Sequence, residues 1–289
     1  MKKSSIGIAL LCLLPLLGHS TNLSQDSMKV DRRTLETDLG QWNYAVSQEG
    51  AKAILFLHGA NSSHKIWHKQ FALEVEGYKN IFVDLLGYGD SDQPDNGYSL
   101  QNWLEGLNSI LVQEGVDQVC LVAHSNGVIL AKEFYRRYPK KVQQLILLDG
   151  MLKQIISAPV LEWMKSTLER SDYKDFMADN VKRMPIQALA VEDQAILQQD
   201  ALNTPKSVVV AEFNTVTAPE TWKPLEIQCP TVIIHANSPY WTDEYVQWLK
   251  QITPEHKFLL WADAGHFIPL QYPERLNTLI VETLGNPKP

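Results

Sequence analysis

Ser125 sits in the pentapeptide Ala123-His124-Ser125-Asn126-Gly127, between an apolar, β-rich run at 118–122 and a run at 128–138. The second run spaces Val128, Ile129, Ala131, Phe134, Tyr135 and Tyr138 at helical intervals. A serine at such a strand-to-helix junction can stand out from the edge of a sheet. The N–H that follows it, opening the helix, then points to where an oxyanion would form. A serine hydroxyl is a poor nucleophile until a base takes its proton, so this chemistry also needs a histidine within hydrogen-bond reach and a group that orients it. The chain offers 8 histidines.

The surrounding elements must hold these groups. Apolar runs at 53–57, 80–84, 119–123, 145–148, 231–235 and 257–261 alternate with amphipathic stretches. One such stretch is 99–112, with Leu100, Trp103, Leu104, Leu107 and Leu111 on one face and Ser99 as N-cap. Near-continuous apolar strands separated by helices predict an α/β fold, a mostly parallel central sheet covered by helices on both faces. Ligands of such sheets gather at the carboxyl ends of the strands. The segment 151–220 breaks the alternation with helical patterns at 160–168, 173–184 and 195–210, punctuated by Pro159, Pro185, Pro205 and Pro219. It begins directly after a strand end, which predicts a helical cap over the site, with the core at 21–150 and 221–289.

The 289 residues are 45% hydrophobic and 20% charged, enough for a full core. Met1-Lys2-Lys3, an apolar stretch at 6–17 interrupted by Pro15, and Gly18-His19-Ser20 read as a secretory signal peptide over 1–20. The apolar stretch is shorter than the roughly 20 residues that span a bilayer, so no stable membrane insertion is expected after cleavage, and an exported, periplasmic or secreted protein is expected. Cleavage after Ser20 would remove two lysines and take the formal charge from −7 to −9. So acidic a protein is poorly suited to phosphate backbones, and no nucleic-acid partner is expected. Cys120 and Cys229 would then be the cysteines left. Each adjoins an apolar run, where a buried thiol acts as a small hydrophobe, and a strand between them would keep them apart.

Five segments together resemble the α/β-hydrolase superfamily: Leu57-His58-Gly59-Ala60-Asn61, the run 83–92 from Val83 to Asp92, the pentapeptide of Ser125, Cys229-Pro230-Thr231, and Asp263-Ala264-Gly265-His266-Phe267. They stand in the family's order over about 38–284. The resemblance implies Ser125 as nucleophile, His266 as its base, and the backbone N–H groups of Ala60 and Asn126 as the oxyanion hole, with Asn61 as a further polar contact. His124 and His58 read as supports of their loops.

The acid departs from the pattern. Counting from Pro230, the family's glycine position holds Ala236 and its aspartate position holds Pro239, which cannot orient an imidazolium. Asp149, ending the run 145–148, is the preferred acid, because a carboxylate at a strand end is held by rigid backbone. Asp243 is the alternative, although Trp241-Thr242-Asp243-Glu244-Tyr245 reads as a helix start with Asp243 as its N-cap. A chain without any acid, slow or merely binding, is the third reading.

Serine at the elbow implies acyl transfer to water through an acyl-enzyme. It argues against the superfamily branches acting on haloalkanes and epoxides, which place aspartate there. No metal-ligand spacing, phosphate loop or dinucleotide fingerprint appears, so neither metal nor cofactor is implied. Hydrolysis of a small, largely apolar carboxylic ester leads; amides, lactones, thioesters and carbon–carbon bonds share the same constellation. A non-catalytic protein binding a small apolar ligand is the reading from another class. Trp163, Tyr173, Phe176, Phe213, Trp222, Trp241 and Phe267 are the aromatic candidates for a substrate wall, Trp163, Trp241 and Phe267 foremost.

Overall fold

The computed structural model describes residues 30–285; the signal-peptide reading of 1–20 lies outside them. The chain runs β1 (Asp31–Thr37), β2 (Gly40–Ser47), β3 (Lys52–Leu57), β4 (Tyr78–Val83), α1 (Leu100–Gln113), β5 (Val119–His124), α2 (Gly127–Arg137) and β6 (Val142–Leu148). Four helices follow, α3 (Ala158–Arg170), α4 (Tyr173–Arg183), α5 (Val191–Asn203) and α6 (Lys206–Thr217). The chain closes with β7 (Thr231–Ala236), α7 (Asp243–Ile252), β8 (His256–Trp261), α8 (Ile268–Gln271) and α9 (Pro273–Gly285).

The eight strands form one sheet in the order β1-β2-β4-β3-β5-β6-β7-β8, parallel from β4 to β8. β1 and β2 form an antiparallel hairpin added to β4. Because β4 lies on one side of β3 and β5 on the other, the chain changes direction between β3 and β5, and a crevice opens above their carboxyl ends. The central strands are apolar on both faces for a reason visible in their packing. Leu55, Leu57, Leu121 and Ala123 face α1 and α2, while Ile54, Phe56, Cys120 and Val122 face Trp67 and α9.

Ser99 caps α1 as expected, its hydroxyl accepting from the N–H of Asn102. Two expectations need correction. The hairpin β1–β2 carries no continuous apolar run and escaped the sequence reading. The helical pattern 195–210 is two helices, because Pro205 has no N–H to continue the ladder and forces Thr204 to an extended ψ of 124°. Cys120 and Cys229 are free; β6 lies between β5, which carries Cys120, and β7, which Cys229 precedes.

Helices α3 to α6 lie over the carboxyl edge of the sheet and dock through buried carboxylates. Asp193 takes His68 Nε2 at 2.8 Å and Lys69 Nζ at 2.7 Å, Asp200 accepts from the Ser63 hydroxyl at 2.6 Å, and Glu212 accepts from the Asn126 amide at 2.8 Å. Among the described residues, no helix is long and apolar enough to cross a membrane.

Candidate active site

Ser125 follows β5 directly and has φ +54°, a left-handed conformation that costs a non-glycine residue about 1–3 kcal/mol. Its surroundings enforce that conformation. Its N–H donates to Leu148 O on β6 at 2.9 Å, and its carbonyl accepts from Val128 N in the first turn of α2 at 3.0 Å. Gly127 is required beside it, since a Cβ there would stand 2.6 Å from Leu57 O and 2.7 Å from His58 O. At Ala123 a methyl is accommodated, buried in the ladder between Leu57 and Leu147.

The loop after β8 delivers His266. Its Nε2 lies 3.0 Å from Ser125 Oγ and its Nδ1 lies 2.6 Å from Asp149 Oδ2. With Nδ1 donating to the carboxylate, Nε2 is left to accept the serine proton. Two bonds fix the loop: Gly265 N–H donates to Gln271 Oε1 at 2.6 Å, and His124 Nε2 donates to the His266 carbonyl at 2.8 Å. Burial, aided by the nearby His266, lowers the His124 imidazole to about 3, so it stays neutral and places no cation beside the base.

Asp149 follows β6, again with positive φ (45°), and its N–H donates to Ile234 O on β7 at 2.8 Å. Its Oδ1 accepts from Ala236 N–H at 2.9 Å and from the Trp241 indole N–H at 3.0 Å. Burial pushes this carboxyl up, but the His266 hydrogen bond and charge, with the Ala236 N–H, outweigh it and hold the pKa below the usual range. Behind it, His235 stacks on Trp241 with centroids 3.7 Å apart and lies 3.8 Å from Oδ1. Burial keeps His235 neutral as well, lowering it to about 4. The alternative acid is elsewhere: Asp243 is an exposed residue in the first turn of α7, and the N-cap is Thr242, whose hydroxyl accepts from Tyr245 N.

Ala60 and Asn126 flank Ser125 on one cavity wall. The Asn126 N–H opens a helix, where no carbonyl of the helix can reach it. Gly59 lets the other donor approach, because a Cβ there would stand 2.8 Å from Ser125 Cβ. His58 ties down the loop, donating from Nδ1 to Gly59 O at 2.8 Å and accepting at Nε2 from Leu85 N–H at 3.2 Å.

A cavity of about 940 Å³ lies between this edge and the cap, lined by Ser125, His266, Asn61 and Trp241 from the core and by Trp163 and Phe213 from the cap. Trp163 sits at its outer wall, 61% exposed. Phe267 is a correction. It does not line the cavity but is buried in the core beneath the base, its ring edge-on to His266 at 5.2 Å, because its backbone turns into α8 there. Glu212 is the residue the sequence reading missed. A glutamate in a cap helix looks like a solvated face, yet its helix also buries Val208 and Val209, four and three positions earlier on the same face. That spacing was the available signal.

Comparison with known proteins agrees with this architecture. Residues 54–279 match the model of the alpha/beta hydrolase family. An esterase from Thermogutta terrifontis superposes with a TM-score of 0.74 at 22% identity, over 88% of this chain and 98% of that one. The epoxide hydrolase VrEH1 from Vigna radiata gives 0.75 at 20% identity, over 91% and 99%. An uncharacterized Mycobacterium tuberculosis protein is 32% identical over 105 residues, 36% of this chain and 31% of that protein. The chain thus spans about a third of the length of that curated relative. With the family model matched across most of its length and the parallel sheet, elbow and histidine loop in place, the chain belongs to the alpha/beta hydrolase family.

Proposed function

We propose that this hydrolase cleaves a small, largely apolar carboxylic ester through an acyl-enzyme on Ser125, and that it acts as an exported protein. The observation that carries the reading is the relay from Ser125 Oγ through His266 to Asp149, with links of 3.0 and 2.6 Å, opening onto the cavity beneath the cap. In the first step Ser125 Oγ attacks the ester carbonyl while His266 Nε2 takes its proton. The N–H groups of Ala60 and Asn126 receive the oxyanion, a contact worth on the order of 100-fold or more in rate per donor. The imidazolium, held by Asp149, then protonates the departing alcohol. Water repeats the sequence on the acyl-enzyme and frees Ser125.

The non-catalytic alternative drew its support from the proline at 239. Asp149 removes that support by standing behind His266 from another strand. The likeness to epoxide hydrolases is one of fold, and the hydroxyl of Ser125 is suited to acyl transfer.

A fluorophosphonate probe and a series of p-nitrophenyl esters test the reading. Labelling and turnover of short acyl esters are expected, both abolished in Ser125→Ala. Folded protein that takes no label and cleaves no ester would overturn it. Fractionating cells that express the full chain tests export, which predicts a mature form lacking 1–20 outside the cytoplasm.

A further inference from the structure

Glu212 is a carboxyl that the cap contributes to the cavity lined by Ser125, Ala60 and Asn126, and it is bonded to the Asn126 side chain. It comes from α6, is 9% exposed, and lines the same cavity as Ser125. One oxygen is committed, since Oε1 accepts from the Asn126 amide at 2.8 Å. Beside it lies the Tyr88 hydroxyl, buried and without a well-formed hydrogen bond, although its proximity pulls on the carboxyl. A buried polar group without a full set of partners costs about 1–3 kcal/mol, so a hydrogen-bonding group that reaches this carboxyl from the cavity is favoured there over an apolar one.

We propose that Glu212 is the specificity-determining residue of the cavity: its carboxyl receives a hydroxyl or similar neutral hydrogen-bonding substituent of the ester and so ranks such substrates above all-apolar isosteres. This rests on the esterase reading above. The neutral class follows from the surroundings. Ile129, Val209, Phe213 and Val216 line the cavity with Glu212, and such apolar surroundings would desolvate a cationic substituent. The state of the carboxyl agrees, because burial raises it to about 7 against the pull of Tyr88 and Asn126. Below that pH it is protonated and both donates and accepts.

The test compares isosteric p-nitrophenyl esters: 3-hydroxybutanoate against 3-methylbutanoate, and 6-hydroxyhexanoate against heptanoate. Both members of a pair acylate the same serine, so their kcat/KM ratio cancels any general loss transmitted through Asn126. At pH 6 the wild type is expected to favour the hydroxylated member of at least one pair by about tenfold or more. Glu212→Leu should bring that ratio to within about twofold of unity, and Glu212→Gln should retain most of it. Glu212→Met repeats the apolar substitution if the leucine variant does not fold. The inference is overturned if the wild type cleaves all four esters without preferring a hydroxyl, or if the apolar variants keep the preference. A protein that cleaves none of them and takes no fluorophosphonate fails the esterase reading instead, and this inference with it.

Discussion

Trp241 donates its indole N–H to Oδ1 of Asp149 at 3.0 Å while its ring, stacked on His235, forms part of the cavity wall. One side chain is thereby both a surface for substrate and a brace for the acid. The carboxylate is anchored on one oxygen by Trp241 and Ala236 and offers the other to His266, so its plane cannot rotate without breaking a charge-assisted bond.

Replacing Trp241 by phenylalanine keeps an aromatic wall and removes the donor. A hydrogen bond to a charged group is worth about 1.5–3 kcal/mol, so kcat should fall by about ten- to a hundredfold. Steady-state kinetics on a short p-nitrophenyl ester measures this, and an unchanged kcat would show that Ala236 alone orients the acid.

Asp149→Asn should lower kcat by roughly a thousandfold or more, because the neutral amide neither stabilises the imidazolium nor holds the productive tautomer. Asp243→Asn, on the exposed first turn of α7, should leave turnover near wild type. The reverse pattern would place the acid in the β7–α7 loop.

Ser125 and His266 were legible in the sequence because each stands in a motif whose neighbours report its geometry, and Asp149 because it ends an apolar run. The central strands were legible for the same reason, being apolar on both faces. β1 was not: Asp-Arg-Arg-Thr-Leu-Glu-Thr pairs on one side only and faces solvent with alternate residues, so nothing forces it to be apolar. Phe267 was assigned to the substrate by its position in the chain, whereas its direction was decided by the turn into α8. Glu212 stayed hidden because its value lies in a partner 86 positions away.

Two buried cap carboxyls should make stability fall as pH rises. Burial lifts Asp200 to about 6 and Glu212 to about 7, above the values near 4 expected when unfolded. Between about pH 4 and 7 the folded state therefore keeps protons that the unfolded chain has released, and unfolding gains relative favour as pH increases. Asp149 acts in the opposite sense and at lower pH, since its depressed carboxyl loses stabilisation as pH falls. Thermal melts of the wild type and of Asp200→Asn/Glu212→Gln across this range should show a flatter dependence of Tm on pH in the double variant. Parallel curves would contradict the assignment.

Gly127→Ala should destabilise the fold by about 1–3 kcal/mol, because the added methyl meets the carbonyls of Leu57 and His58 rather than a movable side chain. Chemical denaturation gives the value, and a loss below about 0.5 kcal/mol would mean that the elbow shifts to make room.

Ser125 and Asp149 end neighbouring strands, both at left-handed residues, and the Ser125 N–H bonded to Leu148 O ties one strand end to the other. Nucleophile and acid thus ride on one rigid body, and the histidine loop is the one segment that must be aligned to it. A chain that took its acid from the β7–α7 loop would have two independent sources of misalignment. Here there is one, and the β7–α7 loop has only to supply the Trp241 brace rather than the acid itself.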